Sequence, residues 1–245
     1  MLASVQLIDS GVRSTVGALR AAPTPADTPG LRHARVVIAA PLGGSIIPSP
    51  QPGRFGLVAF WDDAAALDRF LGTHPLTGTL AGGWSARLEP VRAVPVAGGH
   101  FPGVPDDLAA SAAPGDDGPA AVLTIGHLRL WRVIPFLRAS ARAEEQVAGS
   151  PGVLWATGLA NLTQRIVSTF SLWGSAADLR AYATSTSGHS AAIRTERQQS
   201  FHHVGSFVRF RPIEVHGSLP GRNPLPEAVS ARLTGSEAQT VDTGG

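Results

Sequence analysis

The sequence predicts an α+β protein made of two tandem ferredoxin-like β-α-β-β-α-β repeats that together form an α+β barrel. Three observations carry this prediction. The stretches FGLVAFWDDAAALDRFL (55–71) and VSTFSLWGSAADLRAY (167–182) share one pattern. Each is a strand closing on Trp (Phe60-Trp61, Leu172-Trp173), then a helix-capping type of residue (Asp62 or Ser175), then an Ala-rich helix with apolar positions three and four apart. Their spacing of about a hundred residues is too long for a solenoid and suits a duplicated domain. Finally, a Pro-, Gly-, Ala- and Asp-rich stretch at Pro95–Pro119 separates the two copies.

The elements around each copy fall in the same order. In the first half, strands are expected near Ser4–Leu7, at His33–Ala40, Phe55–Trp61 and Trp84–Val96. Helices are expected near Ser14–Arg20 and from Asp62 onward. In the second half, a strand at Ala121–Leu130 precedes a helix from Ile134 to Ala148, and Gly149-Ser150-Pro151-Gly152 turns the chain into a strand at Val153–Leu159. A strand at Arg165–Trp173, a broken helical stretch from Ser175 to Gln199 and a long strand Phe201–Val215 follow. This order divides the chain into a repeat at 1–97, a linker at 98–119, a second repeat at 120–217 and a mostly disordered tail at 218–245. Pro41–Gly53 is a long loop inside the first repeat, either a site wall or a surface excursion. Each sheet carries its helices on one face, so two sheets in one chain can face each other, and the space they enclose is the natural place for a ligand.

Composition excludes several chemistries. The chain has no Cys, which rules out disulfides, thiol nucleophiles, iron–sulfur clusters and a thiolate-ligated heme. All 20 basic residues are Arg, so a pyridoxal Schiff base and a Walker-type phosphate loop are excluded with lysine. The pI of 10.3 follows from arginine's high pKa, whereas the net charge is only +2 and no Arg–aromatic stripe occurs, so nucleic acid is not an expected partner. No apolar run is long enough to cross a membrane, and no basic segment followed by an apolar stretch opens the chain, which is therefore read as cytoplasmic.

The chemistry left to the chain rests on His, Asp, Glu, Arg and bound cofactors. Of the eight histidines, only His202-His203 are close in sequence, and adjacent strand residues point to opposite faces, so they form no local metal pair. His189 lies in TSTSGHSAAIRTER, at the start of a helical run that carries Arg194 and Arg197. A helical His beside arginines that can hold two propionates is what a heme site needs, although a capping or solvent-exposed His fits the same pattern. Alternation groups His127 with Leu123, Ile125 and Arg129, and His203 with Phe201, Phe207 and Arg209. If those faces coincide they form a mixed imidazole, guanidinium and aromatic pocket. Asp62-Asp63 reads as a helix cap rather than a catalytic carboxylate pair, and Trp61 and Trp173 as core or barrel-rim residues.

Several segments together resemble the spheroidene monooxygenase family of carotenoid biosynthesis. In order they are SIIPSPQPGRFGLVAFWDDAAALDRFL, RLEPVRAVP, AVLTIGHLRL, GSPGVLWATGLANLTQRIVSTFSLW, GHSAAIRTERQQSF, SFVRF and PGRNPL, spanning roughly residues 30–225. The resemblance implies a monooxygenase that uses heme b without a Cys ligand to oxidise an apolar small molecule, drawing on an electron donor that no motif specifies. It places the family's iron-ligating His on His189, which leaves Arg194, Arg197 and Arg129 for propionates and His127 or His203 as a distal group. Two departures bear on the substrate: Ala160-Asn161 stand where a Gly-Glu pair is expected, and SFHHV replaces a more acidic stretch. The substrate is thus an apolar or specialised metabolite and need not be a carotenoid. Three other readings stay open: a heme-dependent dehydratase or rearrangement enzyme, a heme or small-ligand binding module, and a cofactor-free barrel oxygenase. A homo-oligomer is compatible with all of them.

Overall fold

The computed structural model of the chain describes residues 1–42, 50–104, 117–184 and 200–218. The first repeat runs β1 (Leu2–Asp9), α1 (Val12–Arg20), β2 (Leu31–Pro41), β3 (Arg54–Trp61), α2 (Ala64–Thr73), a short α3 (Thr77–Leu80) and β4 (Trp84–Ala97). The second runs β5 (Ala120–Leu128), α4 (Val133–Ala148), β6 (Val153–Asn161), β7 (Ile166–Trp173), α5 (Ala176–Thr184) and β8 (His202–His216). A 3-10 turn at Leu130–Arg132 leads into α4. Every strand of the expected order is present. The short α3 was not foreseen, because a four-residue helix leaves no periodic trace.

Both repeats have the ferredoxin-like strand order, and all pairings are antiparallel. The first repeat is ordered β4-β1-β3-β2 and the second β8-β5-β7-β6. The β2–β6 and β4–β8 pairs join them into one closed eight-stranded barrel. The duplication is visible residue by residue. Trp61 pairs with Leu2 and Leu31, and Trp173 with Ala120 and Val153. Trp61 packs on Phe70 of α2 at 5.0 Å, and Trp173 on Tyr182 of α5 at 5.1 Å. Both tryptophans therefore lie in the core beneath the helices.

The turn preceding the second strand of each repeat is also shared. Gly30 (φ +81°) and Gly152 (φ +80°) take left-handed backbone, and each carbonyl accepts a hydrogen bond from the residue after Trp, Asp62 N–H at 2.9 Å and Gly174 N–H at 2.8 Å. A Cβ on either glycine would lie 2.5 Å from Ala66 Cβ or 2.3 Å from Asp178 Cγ, so both positions require glycine. One cap differs from expectation. Asp63, not Asp62, caps α2, its Oδ1 accepting from Ala66 N–H at 2.8 Å, while Asp62 pairs with Arg32 at 3.1 Å. Ser175 caps α5 as expected, its Oγ accepting from Asp178 N–H.

Three buried clusters result. The largest fills the barrel, with residues from all eight strands, among them Val5, Val37, Phe60, Trp84, Leu123, Leu159, Phe170 and Phe210. Phe101 and Val104, from the stretch after β4, belong to it at 0% and 7% exposure. This corrects two expectations. Part of the Pro95–Pro119 stretch is core, because the chain leaving β4 turns back and seals one barrel end. Nor is the enclosed space a ligand chamber among the described residues, since apolar side chains pack it. Trp84, Trp155 and Phe170 fill the other end, with ring centroids 6.0–6.3 Å apart. The second cluster lies under α1, α2 and α3, and the third under α4 and α5.

No described helix is long and apolar enough to cross a membrane. Most of the Pro41–Gly53 loop, the stretch 185–199 and the tail beyond 218 lie outside the described residues.

Candidate functional site

Two places differ from a plain packed barrel. The first is the end sealed by Phe101. Alternation along β2 turns His33, Val37 and Ala39 toward the lumen, with Arg35 in the same row but at the edge where β2 parts from β6, and along β5 it turns Leu123, Ile125 and His127 the same way. Phe101 sits between the two imidazoles, edge-on to His33 at 5.3 Å and stacked on His127 at 5.2 Å. Its backbone N–H donates to Ser206 Oγ at 2.7 Å, and Ser206 Oγ also meets His100 Nδ1 at 3.2 Å.

Among the described residues, the ionisable groups that interact at this end can carry only positive charge. Burial pushes the His33 imidazole down to about 4, helped by Arg35 and His127, so it is neutral at pH 7. Its Nε2 is buried and has no hydrogen-bond partner among the described residues. Burial also lowers the His127 pKa, partly offset by the Gln164 carbonyl, which accepts from Nδ1–H at 3.3 Å. The sequence singles out neither Arg35 nor Phe101, and offers His33 only as one of eight candidate histidines. The signal available was two polar residues at i and i+2 on the apolar face of HARVVIA.

The second place is the outer face of the second sheet. In the first repeat the central strands are buried on both faces, with β1 and β3 buried along almost their full length. In the second repeat the equivalent β5 and β7 are interrupted on the helix-facing side by half-buried Thr124, Val167 and Thr169. Thr124 pairs with Thr169 and with half-buried Phe207, and Gly126 with Val167, so these residues form one continuous floor. Above it α4 buries only Ala141 among its described side chains. Phe136 of α4 meets Phe201 at 5.9 Å and His202 at 5.3 Å along one border. Arg129 stands on the same border, its Nε donating to the His202 carbonyl at 3.0 Å.

The expected site residues therefore separate. His127 faces the lumen end. His203 is exposed and lies edge-on to Trp131 at 6.1 Å. A β-bulge explains this. His127 pairs with Val204 and Leu128 with His202, which leaves His203 as the extra residue. The two faces carrying His127 and His203 do not coincide. Arg129 follows the end of β5, and its Nε bonds the His202 carbonyl. His189, Arg194 and Arg197 lie outside the described residues. Among the described residues no group of three or more His, Asp or Glu side chains is arranged to hold a metal ion.

Comparison with known proteins identifies the kinship. No family model matches the chain. A spheroidene monooxygenase of Rubrivivax gelatinosus is 32% identical over 208 residues, covering 84% of this chain and 78% of the relative. The chain belongs to the spheroidene monooxygenase family. The spheroidene monooxygenase of Rhodobacter capsulatus is 25% identical over 200 residues, 78% of this chain and 80% of its own. Kinship with spheroidene monooxygenases makes the chain monooxygenase-like, an oxidoreductase. Among solved structures, an aldoxime dehydratase superposes with a TM-score of 0.51 at 11% identity, over 86% of this chain and 80% of that one, a likeness of fold alone.

Proposed function

We propose that this protein is a heme-dependent monooxygenase acting on an apolar or specialised-metabolite small molecule, with heme b lying on the outer face of the second sheet. The observation that carries the location is the contrast between the two sheets. Among the described residues the lumen is packed by apolar side chains, with Phe101 and Phe60 toward one end and the aromatic trio at the other. What supports the outer face of the second sheet is a floor of small or apolar residues in which Thr124, Val167, Thr169 and Phe207 are half-buried around a buried Gly126. The composition supports an imidazole ligand, since the chain has no Cys thiolate and carries eight histidines against a single Tyr and a single Met.

In this reading His189 binds the iron, and Arg194, Arg197 and Arg129 pair the propionates. Bound heme supplies the activation of dioxygen or of a peroxide. The protein's share is positioning. The Arg129 guanidinium is oriented by the His202 carbonyl, which presets it for a carboxylate. Of the two histidines considered for a distal role, His203 is on the accessible side of β8, where it can donate a proton at the rim, whereas His127 is turned into the lumen. Phe136, Phe201 and Phe207 supply the apolar surround that favours an apolar substrate and keeps water out.

The test is spectroscopic. The purified protein is titrated with hemin, and the expected result is a saturable Soret band. That band is lost in His189→Ala, with ligation recovered on adding imidazole. Thr169→Trp, which fills the floor, also blocks hemin uptake in a protein that remains folded by circular dichroism. A wild-type protein that neither carries nor takes up heme, yet oxidises substrate, would establish the cofactor-free reading instead.

A further inference from the structure

We propose that a cavity at the seam between the two repeats is a binding site for a small carboxylate, with Arg35 as its charged anchor. The cavity has a volume of about 100 Å³ and lies between the α1–β2 connection and the β6–β7 turn. Its polar wall is Thr24 and Arg35 from the first repeat and Asn161 and Gln164 from the second, and its apolar wall includes Leu19 and Pro23. A single water needs only about 10–15 Å³ of such space, so the cavity has ample room for a small anion such as formate or acetate.

Arg35 is the reason an anion belongs there. It is half-buried, and among the described residues its hydrogen bond runs from Nη1 to the Ala34 carbonyl at 2.7 Å. Its Nε is buried with no partner among the described residues, and it forms no ion pair with them. The partly exposed Arg54 and Arg87 behave differently, since Arg54 meets Asp9 at 2.9 Å and Arg87 meets both Asp68 and Glu214. A guanidinium removed from water without a counter-ion is costly, and a carboxylate can accept two of its N–H bonds at once. Among the described residues, the titratable groups that interact with Arg35, His33 and His127, can add only positive charge.

The geometry gives the ligand a structural task. Backbone pairing between β2 and β6 ends at Ile38 and Ala160. Beyond it the Asn161 Nδ2 donates to the Val36 carbonyl at 2.9 Å, a side chain continuing the ladder. A carboxylate held between Arg35 and the β6–β7 turn closes the seam at the point where the strands part. This site is separate from the second-sheet face and does not depend on heme.

The experiment is thermal unfolding of the full chain in sodium formate, sodium acetate and sodium chloride at matched ionic strength, with calorimetric titration of the same salts. Formate or acetate should raise Tm saturably beyond chloride. Arg35→Met should weaken that binding by roughly tenfold or more, as expected for a lost charge-assisted contact. Gln164→Glu, a change on an exposed turn, puts a carboxylate into the cavity and should abolish the response while the protein stays folded. Equal, non-saturating responses to all three salts, or an undiminished formate response in Gln164→Glu, would overturn the proposal.

Discussion

Replacing Phe101 by Ala tests whether the segment after β4 is a structural plug. Phe101 is 0% exposed, is flanked by His33 and His127, and belongs to the cluster that fills the barrel. Truncating a buried Phe removes its transfer free energy and leaves a cavity, at a combined cost of roughly 3–5 kcal/mol. The backbone bond from residue 101 to Ser206 Oγ survives the substitution, so the loss reports side-chain packing alone. For a domain of this size each kcal/mol moves Tm by roughly 2–4 °C, so the shift should be about 6–20 °C. Urea unfolding gives the free energy directly. The same variant admits water to His33, so the imidazole should titrate closer to its ordinary 6.5 than to about 4. A loss below about 1 kcal/mol, with no change in the His33 titration, would show that Phe101 is not part of the core.

Acid should weaken the fold through His33. Its folded pKa is depressed to about 4 from 6.5, so between these values the unfolded state binds more protons and stability falls as pH is lowered. At pH 5 this one residue should remove up to about 2 kcal/mol relative to pH 8, and His33→Leu should flatten that part of the urea-midpoint profile. Asn161→Ala removes the bond to Val36 and the acceptor that Thr163 Oγ1 and Gln164 N–H share, and should cost roughly 1–3 kcal/mol in urea unfolding. Gly30→Ala and Gly152→Ala should each destabilise by more than about 1 kcal/mol, because both add a Cβ to left-handed backbone against a helix. A neutral result at either glycine would mean that its turn can rearrange.

Local signals made most of the fold legible. Strand alternation, the Trp that ends β3 and β7, and the Ala-rich helices after them each depend on residues close in sequence, and together they gave two repeats of the correct order. What stayed hidden depends on partners far apart in the chain. Asp62 and Asp63 look equally good as caps until Arg32 claims one of them. The bulge that isolates His203 is a property of the β5–β8 pair, so alternation along β8 alone could not place that side chain. Phe101 lies in a stretch whose composition reads as linker, and only the open barrel end explains why an aromatic residue there becomes core.

The candidate site follows from the same distinction. A duplicated fold begins with two equivalent outer faces, and sequence comparison of the halves emphasises what they still share. Function is found in what they no longer share. Trp61 and Trp173, or Gly30 and Gly152, are held in common because each sheet needs them to seat its second helix. On the first sheet Phe55, Leu57 and Ala59 meet α1 and α2 in a dry core. On the second, the equivalent strand presents Val167, Thr169 and Ser171 to the helix side, and two of the three remain half-buried. Replacing Phe and Leu by Val and Thr in mid-strand removes apolar area that packing would otherwise use, at about 25 cal/mol per Å². That loss is what supports the proposed location of the cofactor: the half-buried Val167 and Thr169 leave mid-strand surface that the described side chains do not fully cover.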